Sequence, residues 1–122
     1  MRYILMLAIA LFLCGTSHNS DARIKVTGSG DNLNFDGAVV PSHLKPAWDT
    51  MNQKCARCHS MEMLVKAVLT GVCPETRQPF DKQAVKAYGI KMIRKKDSDI
   101  SKKEMREIVV LINYFIDEQA KK

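Results

Sequence analysis

The end of the chain holds the feature that most narrows the fold. Ser101 to Glu104 form a capping-box pattern, in which a serine and a glutamate three positions later satisfy free backbone amides at a helix start. Apolar residues then recur 3, 4, 7, 10 and 11 positions beyond Met105, the spacing of one helical face. These residues are Met105, Ile108, Val109, Ile112, Phe115 and Ile116. Such a face must be buried against the rest of the chain, so the sequence predicts a domain of packed helices.

Further helices are indicated upstream of this one. Ser42 is placed to cap a helix that runs towards Cys55, because serine side chains accept hydrogen bonds from the first amides of helices. A second helix is predicted over residues 61–69 and ends at Gly71, since glycine commonly terminates helices. We find no internal repeat, and we therefore expect an all-α fold.

Residues 1–22 have the pattern of an export signal. Arg2 gives a positive start, and residues 3–13 form an uninterrupted apolar run that is too short for a stable transmembrane helix. Small residues at Ser20 and Ala22 suit cleavage after Ala22. Residues 1–22 are therefore predicted to be a cleaved signal peptide.

Cys14 leaves an alternative open. The segment Leu11-Phe12-Leu13-Cys14 resembles a lipobox, in which the cysteine becomes an acylated N-terminus. The residue before such a cysteine is normally small, and here it is Leu13. We therefore favour a cysteine that is discarded with the signal over lipoprotein anchoring.

The remaining chain is one small basic domain. The whole sequence is 46% hydrophobic and 26% charged, the balance of an ordinary globular protein. Loss of residues 1–22 removes Arg2 and Asp21, so the formal charge stays at +6. Residues 23–41 are expected to form an irregular arm that docks on a domain of residues 42–122. These bounds exclude a multidomain enzyme and a protein that inserts stably in a membrane.

A short motif near the middle of the chain carries the chemistry. Residues 55–59 read Cys-Ala-Arg-Cys-His, the C-x-x-C-H signature of c-type haem attachment. On a helical turn, residues at i, i+3 and i+4 share one face. Cys55 and Cys58 can therefore reach the two vinyl groups along one porphyrin edge, while His59 serves as the proximal ligand of the iron. The motif predicts one covalently bound haem c.

Three other interpretations of this motif have weaker support. A thioredoxin-like dithiol belongs in a βαβ context, which a helical chain does not supply. A zinc site would combine the motif with Cys73 or His43, but adjacent Cys58 and His59 fit a tetrahedron poorly. A disulfide between Cys55 and Cys58 would leave Cys73 unpaired and give His59 no role.

The second iron ligand has several candidates. Methionine raises the potential of a His-ligated haem and suits electron transfer. The candidates are Met51, Met61, Met63, Met92, Met105 and His43. Met61 and Met63 follow His59 closely, and four extended residues reach only about 14 Å, which is little for rounding a macrocycle. Met51 and Met105 suit core packing.

Met92 is the distal ligand that we expect. A third, short helix is predicted to begin after Asp81 and to end at Gly89, which leaves Met92 in a loop. The segment that separates Met92 from His59 is long enough to bring a thioether to the other side of a haem. Two alternatives stay open: Met92 is an ordinary core methionine, or His43 is the distal ligand.

With these residues in view, residues 42–118 resemble class I c-type cytochromes. The order of a helix, the C-x-x-C-H motif, short helices, a methionine loop and a last helix is the same. Ala47 and Met51 stand where that family commonly has glycine and an aromatic residue, and Leu111 and Tyr114 match the leucine and tyrosine of its last helix. The stretch after Met92 is similar to the methionine loop of small monohaem cytochromes from anaerobic, metal-reducing bacteria.

The resemblance implies a function. It implies a low-spin iron with His59 and Met92 as ligands, and an electron carrier of the bacterial periplasm rather than an enzyme. The alternatives are a haem enzyme or gas sensor with an open or weakly held sixth position, or a cytochrome subunit of a larger oxidoreductase. The late cluster of lysines and arginines favours redox partner proteins with acidic docking surfaces. We expect no nucleic-acid partner, and a monomer.

Overall fold

The structure is a computed structural model that describes residues 24–121. The predicted signal peptide, its cleavage site and Cys14 lie outside these residues. The helices are α1 (Lys45–Lys54), α2 (Glu62–Thr70), α3 (Lys82–Ile93) and α4 (Lys102–Ala120). The strands of the described chain are β1 (Val26–Thr27) and β2 (Asn34–Phe35), which pair antiparallel. The domain is therefore mostly helical, as predicted. No helix within residues 24–121 has both the length and the apolar character needed to cross a bilayer.

Helix α4 is the central element, and it packs against α1, α2 and α3. Its predicted capping box is confirmed, since the Ser101 side chain accepts from the Glu104 amide and the Glu104 side chain accepts from the Ser101 amide. The predicted face is buried except that Val109 and Ile116 are only half-buried. Its buried residues are Met105, Ile108, Leu111, Ile112 and Phe115.

The start of α1 differs from the prediction. Ser42 does not cap this helix but opens a 3-10 turn, Ser42–Leu44, and the helix starts at Lys45 without a side-chain cap. Pro46 lies at the helix start, where an amide would lack an intrahelical partner and where the fixed φ of proline suits a helix. The helix is therefore positioned by proline rather than by serine. The predicted end of α2 is confirmed, because Gly71 closes it in a left-handed conformation with φ of 72°.

Helix α3 is longer than predicted, and this changes the position of Met92. Asp81 caps the helix as expected, but the helix continues through Gly89 to Ile93. A Cβ atom at Gly89 would lie 3.1 Å from Met105 Sδ and 3.2 Å from Val109 Cγ2. Gly89 therefore allows close packing of α3 on α4 and does not stop the helix. The prediction that Met92 lies in a loop is wrong, since Met92 lies in the last turn of α3.

The N-terminal segment contains two short paired strands and packs on the helical part of the domain. Its two strands place Phe35 against α4, where Phe35 stacks on Phe115 with ring centroids 4.0 Å apart and planes 14° apart. Trp48 of α1 meets Phe115 edge-on at 6.4 Å, and Tyr114 lies 5.7 Å from it. We call these four side chains the aromatic cluster. It joins the N-terminal segment, α1 and α4 into one core.

Candidate functional site

An apolar cleft of about 250 Å³ borders α4 next to Met105, Ile108 and Val109. Side chains from the end of α1, from α2, α3 and α4 form its walls. Three of the four residues predicted to hold a haem line this cleft, namely Cys55, His59 and Met92. The chain brings Met92 to the two motif residues from a different helix, which is a result of the tertiary fold alone.

The turn after α1 places the motif at the mouth of the cleft. Helix α1 passes directly into a 3-10 turn over Cys55–Arg57, and the Cys58 amide donates to the Cys55 carbonyl at 3.4 Å. Burial, followed by the nearby Cys58, raises the pKa of the half-buried Cys55 thiol. Cys58 is exposed and is not part of the cleft wall. Both thiols are free in this structure.

The His59 side chain makes a hydrogen bond to the neighbouring backbone. Its ring is exposed, and Nδ1 lies 3.1 Å from the carbonyl oxygen of Ser60. Because a carbonyl oxygen can only accept, Nδ1 is the donor of this hydrogen bond. The lone pair of neutral imidazole then lies on Nε2, and metal-binding histidines are commonly oriented by such a bond from the other nitrogen.

The methionines of the cleft fall into two groups. Met51 and Met105 are 0% and 7% exposed and belong to the core, as predicted. Met63 and Met92 are half-buried and line the cleft. Met61 is buried and lines a separate, more polar pocket instead. Met92 and Met63 therefore both lie in the cleft wall with partly exposed side chains. They differ in their separation from His59, because Met63 follows His59 by only four residues, whereas Met92 lies on a different helix.

The other candidate ligands lie elsewhere. His43 is exposed in the 3-10 turn before α1 and does not line the cleft. Within residues 24–121 no group of three or more His, Cys, Asp or Glu side chains is placed to hold a metal ion, so the zinc alternative finds no support in that part of the chain.

A pair of polar side chains in the cleft wall was missed by the sequence reasoning. The Tyr88 hydroxyl donates to Cys73 Sγ at 3.3 Å, and both residues line the cleft. Hydrogen bonds from Tyr88 and then from Thr76 lower the pKa of the Cys73 thiol to about 7, while the bond to Cys73 raises the pKa of Tyr88. Cys73 is only 7% exposed. Nothing in the sequence indicates this pair, because the two residues stand 15 positions apart on different elements.

Positive charge lies next to the Met92 end of the cleft. From the end of α3 to the first turns of α4, several exposed cations have no acidic side chain of residues 24–121 within ion-pair distance. We call them the basic face: Lys91, Arg94, Lys95, Lys96, Lys102 and Arg106. Unpaired cations in this number attract acidic surfaces over distances of about a Debye length.

Comparisons with known proteins add no assignment to this geometry: no protein-family model, no curated protein and no solved structure matches the chain.

Proposed function

We propose that this protein is a c-type cytochrome with one haem in the apolar cleft, and that it carries single electrons between exported redox proteins. The observation that carries the proposal is that Cys55, His59 and Met92 line one cleft. Cys55 and His59 belong to the C-x-x-C-H motif of haem attachment, and Met92 comes from a different helix. When bound, the haem supplies an iron couple that accepts and releases one electron.

The residues present fit this group. The cleft wall is almost entirely apolar, as the faces of a porphyrin require, and its few polar groups include the sulfur and imidazole donors that haem uses. Cys55 and Cys58 would hold the haem through thioether bonds. His59 would ligate the iron through Nε2, because the Ser60 carbonyl occupies its other nitrogen. Met92 would be the second ligand.

The chain itself prepares the site for electron transfer. Met51, Ile108 and Val85, which are 0%, 2% and 2% exposed, keep water from the inner wall of the cleft. Low polarity around a haem and a methionine ligand both favour the reduced, less charged iron. The position of Met92 in a helix, with a backbone fixed by hydrogen bonds, limits how far its thioether moves.

Haem attachment is tested by producing the protein in a bacterium that matures c-type cytochromes. We expect a red protein whose pigment stays with the chain in acid acetone, and whose Cys55→Ser/Cys58→Ser variant releases it. The matched control is Cys73→Ser, which alters a thiol of the same cleft outside the motif and keeps covalent haem. A colourless product, or wild-type pigment that acid acetone extracts, contradicts the proposal.

Methionine ligation is tested on the same holoprotein. The oxidised wild type should show the weak red absorption band of a methionine–iron bond, an expectation carried over from the resemblance to class I cytochromes. Met92→Ala should lose this band, and Met63→Ala should keep it. The reverse result would move the ligand to Met63, and absence of the band in wild type would favour an open or differently ligated iron.

The basic face is the part of the surface that we propose for docking an acidic redox partner. Its cations lie on the segment that also carries Met92 and Met105, both of which line the cleft. Complementary charge increases the rate of encounter and gives a strong dependence on salt. Lys95→Glu should slow electron transfer to an acidic acceptor, whereas Lys25→Glu, the same charge change on the N-terminal segment, should leave it unchanged. Equal slowing by both variants contradicts docking at this face.

Export through residues 1–22 is also part of the proposal. Sequencing of the protein from the periplasm should give Arg23 as the first residue. A diacylglyceryl group on Cys14 would instead establish a lipoprotein.

A further inference from the structure

Lys54 stands between the C-x-x-C-H motif and the segment that follows Met92. It is the last residue of α1 and directly precedes Cys55. Its ammonium group donates to the Asp99 carbonyl at 2.6 Å and to the Glu104 carboxylate at 2.9 and 3.1 Å. Only 20% of the side chain is exposed. An ammonium has three donors, and here all of them are directed at the loop after α3 and at the start of α4.

A second cation, which lies within the motif, binds the same loop. Arg57 approaches the Asp99 carboxylate, with Nη2 to Oδ2 at 3.5 Å, and its Nε donates to the Gln53 carbonyl at 3.2 Å. Lys54 Nζ lies 4.0 Å from the same carboxylate. Asp99 is thus bound by the residue before Cys55 and by the residue before Cys58. We call Lys54, Arg57, Asp99 and Glu104 the Lys54 cluster.

The loop that this cluster binds is connected to Met92 by local hydrogen bonds. The Lys95 amide donates to the Met92 carbonyl at 3.1 Å, and the Ser98 amide donates to the Lys95 carbonyl at 3.1 Å. Asp99 then adopts a left-handed conformation with φ of 50°, a region that aspartate enters more readily than most residues other than glycine. In this conformation, its carbonyl oxygen accepts the shortest of the hydrogen bonds that Lys54 donates.

Glu104 connects the cluster to α4. Its Oε2 accepts from the Ser101 amide at 2.8 Å as part of the capping box, and its carboxylate also receives Lys54. The cluster therefore joins three elements: the motif turn, the loop after Met92, and the helix whose Met105 lines the cleft. A surface ion pair between two mobile side chains contributes little, but a shielded cation with several fixed acceptors holds its elements in register.

We propose that Lys54 is a positioning residue for the second iron ligand: by fixing the loop after α3 to the haem-attachment turn, it keeps the Met92 thioether in the cleft wall. This inference rests on the proposed haem function. Without the Lys54 ammonium, the loop after α3 keeps its contact with Arg57 but loses its hydrogen bonds to the residue before Cys55, and the fraction of molecules in which Met92 has left the iron rises.

The test measures how readily imidazole takes the place of Met92 in the oxidised holoprotein. Imidazole binds only molecules in which the methionine has left, so its apparent affinity rises in proportion to their fraction. We expect Lys54→Met to bind imidazole about tenfold more tightly than wild type. Lys54→Arg, which keeps the charge and the donors, should restore most of the wild-type affinity. The matched control is Lys66→Met on α2, because Lys66 pairs with Glu62 outside the cluster.

Hydrogen exchange of the holoprotein provides a readout that does not involve the iron. Amides of residues 95–101 should exchange faster in Lys54→Met than in Lys66→Met, while those of α2 stay unchanged. Imidazole affinity and loop exchange in Lys54→Met equal to those of Lys66→Met overturn the inference even when wild type shows the methionine band. A wild type without that band overturns ligation by Met92 and this inference with it, and a wild type without haem overturns the proposed function as well.

Discussion

The two ends of α4 are packed in different ways. Around Phe115, aromatic rings from the N-terminal segment and α1 fill the space, with Phe35 1% exposed and stacked at 4.0 Å. Around Met105 and Val109, the same helix borders a cleft of about 250 Å³. An apolar cavity of roughly 150 Å³ is already large enough to bind a small hydrocarbon.

The difference separates a region that the chain fills by itself from a region with an apolar cleft, which is where we propose that haem binds. The aromatic end buries its rings with residues of the chain alone. The cleft end exposes apolar walls, with the motif residues Cys55 and His59 at its edge. Small domains have little core to spare, so a bound group that fills such a cleft contributes directly to the stability of the fold.

The largest effect should come from preventing haem attachment. The Cys55→Ser/Cys58→Ser variant is expected to lose the cooperative unfolding transition of the holoprotein. Without attached haem, the apolar walls of the cleft would be exposed to water. Circular dichroism during heating measures this, and hydrogen exchange should show α3 less protected than the aromatic end. A variant that unfolds as cooperatively as wild type would show that the two ends of α4 do not differ in this way.

Removal of the central ring of the aromatic cluster should have the next largest effect. Phe115→Ala is expected to lower the free energy of unfolding of the holoprotein by about 3–5 kcal/mol, the usual cost of truncating a buried aromatic residue. Val110→Ala on the same helix, at a side chain that is 54% exposed, should change it by less than about 0.5 kcal/mol. Denaturant titrations measure both. The visible spectrum of Phe115→Ala should stay that of wild type, and a changed spectrum would mean that the two ends are coupled.

A smaller effect is expected where α3 packs on α4. Alanine favours a helix interior over glycine by about 1 kcal/mol, so Ala87→Gly at an exposed position of α3 should destabilise by that amount. Gly89→Ala should not gain the stability that alanine normally adds to a helix. The new Cβ would lie 3.2 Å from Val109 Cγ2, and Val109 is β-branched with little freedom to move. We expect a net destabilisation of about 1 kcal/mol. A gain in stability on denaturant titration would show that this contact is loose.

The smallest change concerns the hydrogen bond between Tyr88 and Cys73. Tyr88→Phe removes the first cause of the low thiol pKa and should raise the midpoint of thiolate absorption of Cys73 above about pH 7. The cost in stability should be about 0.5–1.5 kcal/mol, that of one hydrogen bond. Thr76 and Glu75, the other groups that face the thiol, remain in place.

The same pair gives a pH dependence with a defined sign. The pKa of Cys73 is lower in the folded protein than its ordinary value of 9.0, so the thiolate stabilises the fold above pH 9 and this contribution is lost as the pH falls through about 7. The free energy of unfolding of wild type, relative to that of Cys73→Ser, should therefore increase from pH 7 to pH 9. A difference that stays constant over this range contradicts the lowered pKa.

Several elements were predictable because their signals are local. The capping box at Ser101, the apolar face that follows it and the left-handed end of α2 at Gly71 depend on residues within a few positions of one another. The C-x-x-C-H motif is local in the same sense, so its attachment chemistry is predicted from one short stretch of chain. No comparable local signal exists for the partner of Cys73.

The errors arose where tertiary contacts outweighed a local signal. Glycine commonly ends a helix, but Gly89 lies inside α3, where its lack of a side chain allows close packing on Met105 and Val109. Because the helix continues past Gly89, Met92 lies in its last turn and not in the predicted loop. The packing of the N-terminal segment also depends on a tertiary contact, because Phe35 of β2 stacks on Phe115 near the other end of the chain.

By itself, the sequence determined which chemical groups the protein carries and which segments are helical, because periodicity, caps and motif spacing act over one or two turns of chain. The tertiary structure decided which of those groups meet: that Cys55, His59 and Met92 share a cleft, that His43 does not, and that Lys54 reaches the loop behind Met92. The physical reason is that burial and long-range hydrogen bonds depend on how helices pack against one another. That packing reflects all contacts of the domain together, and no short window of sequence contains it.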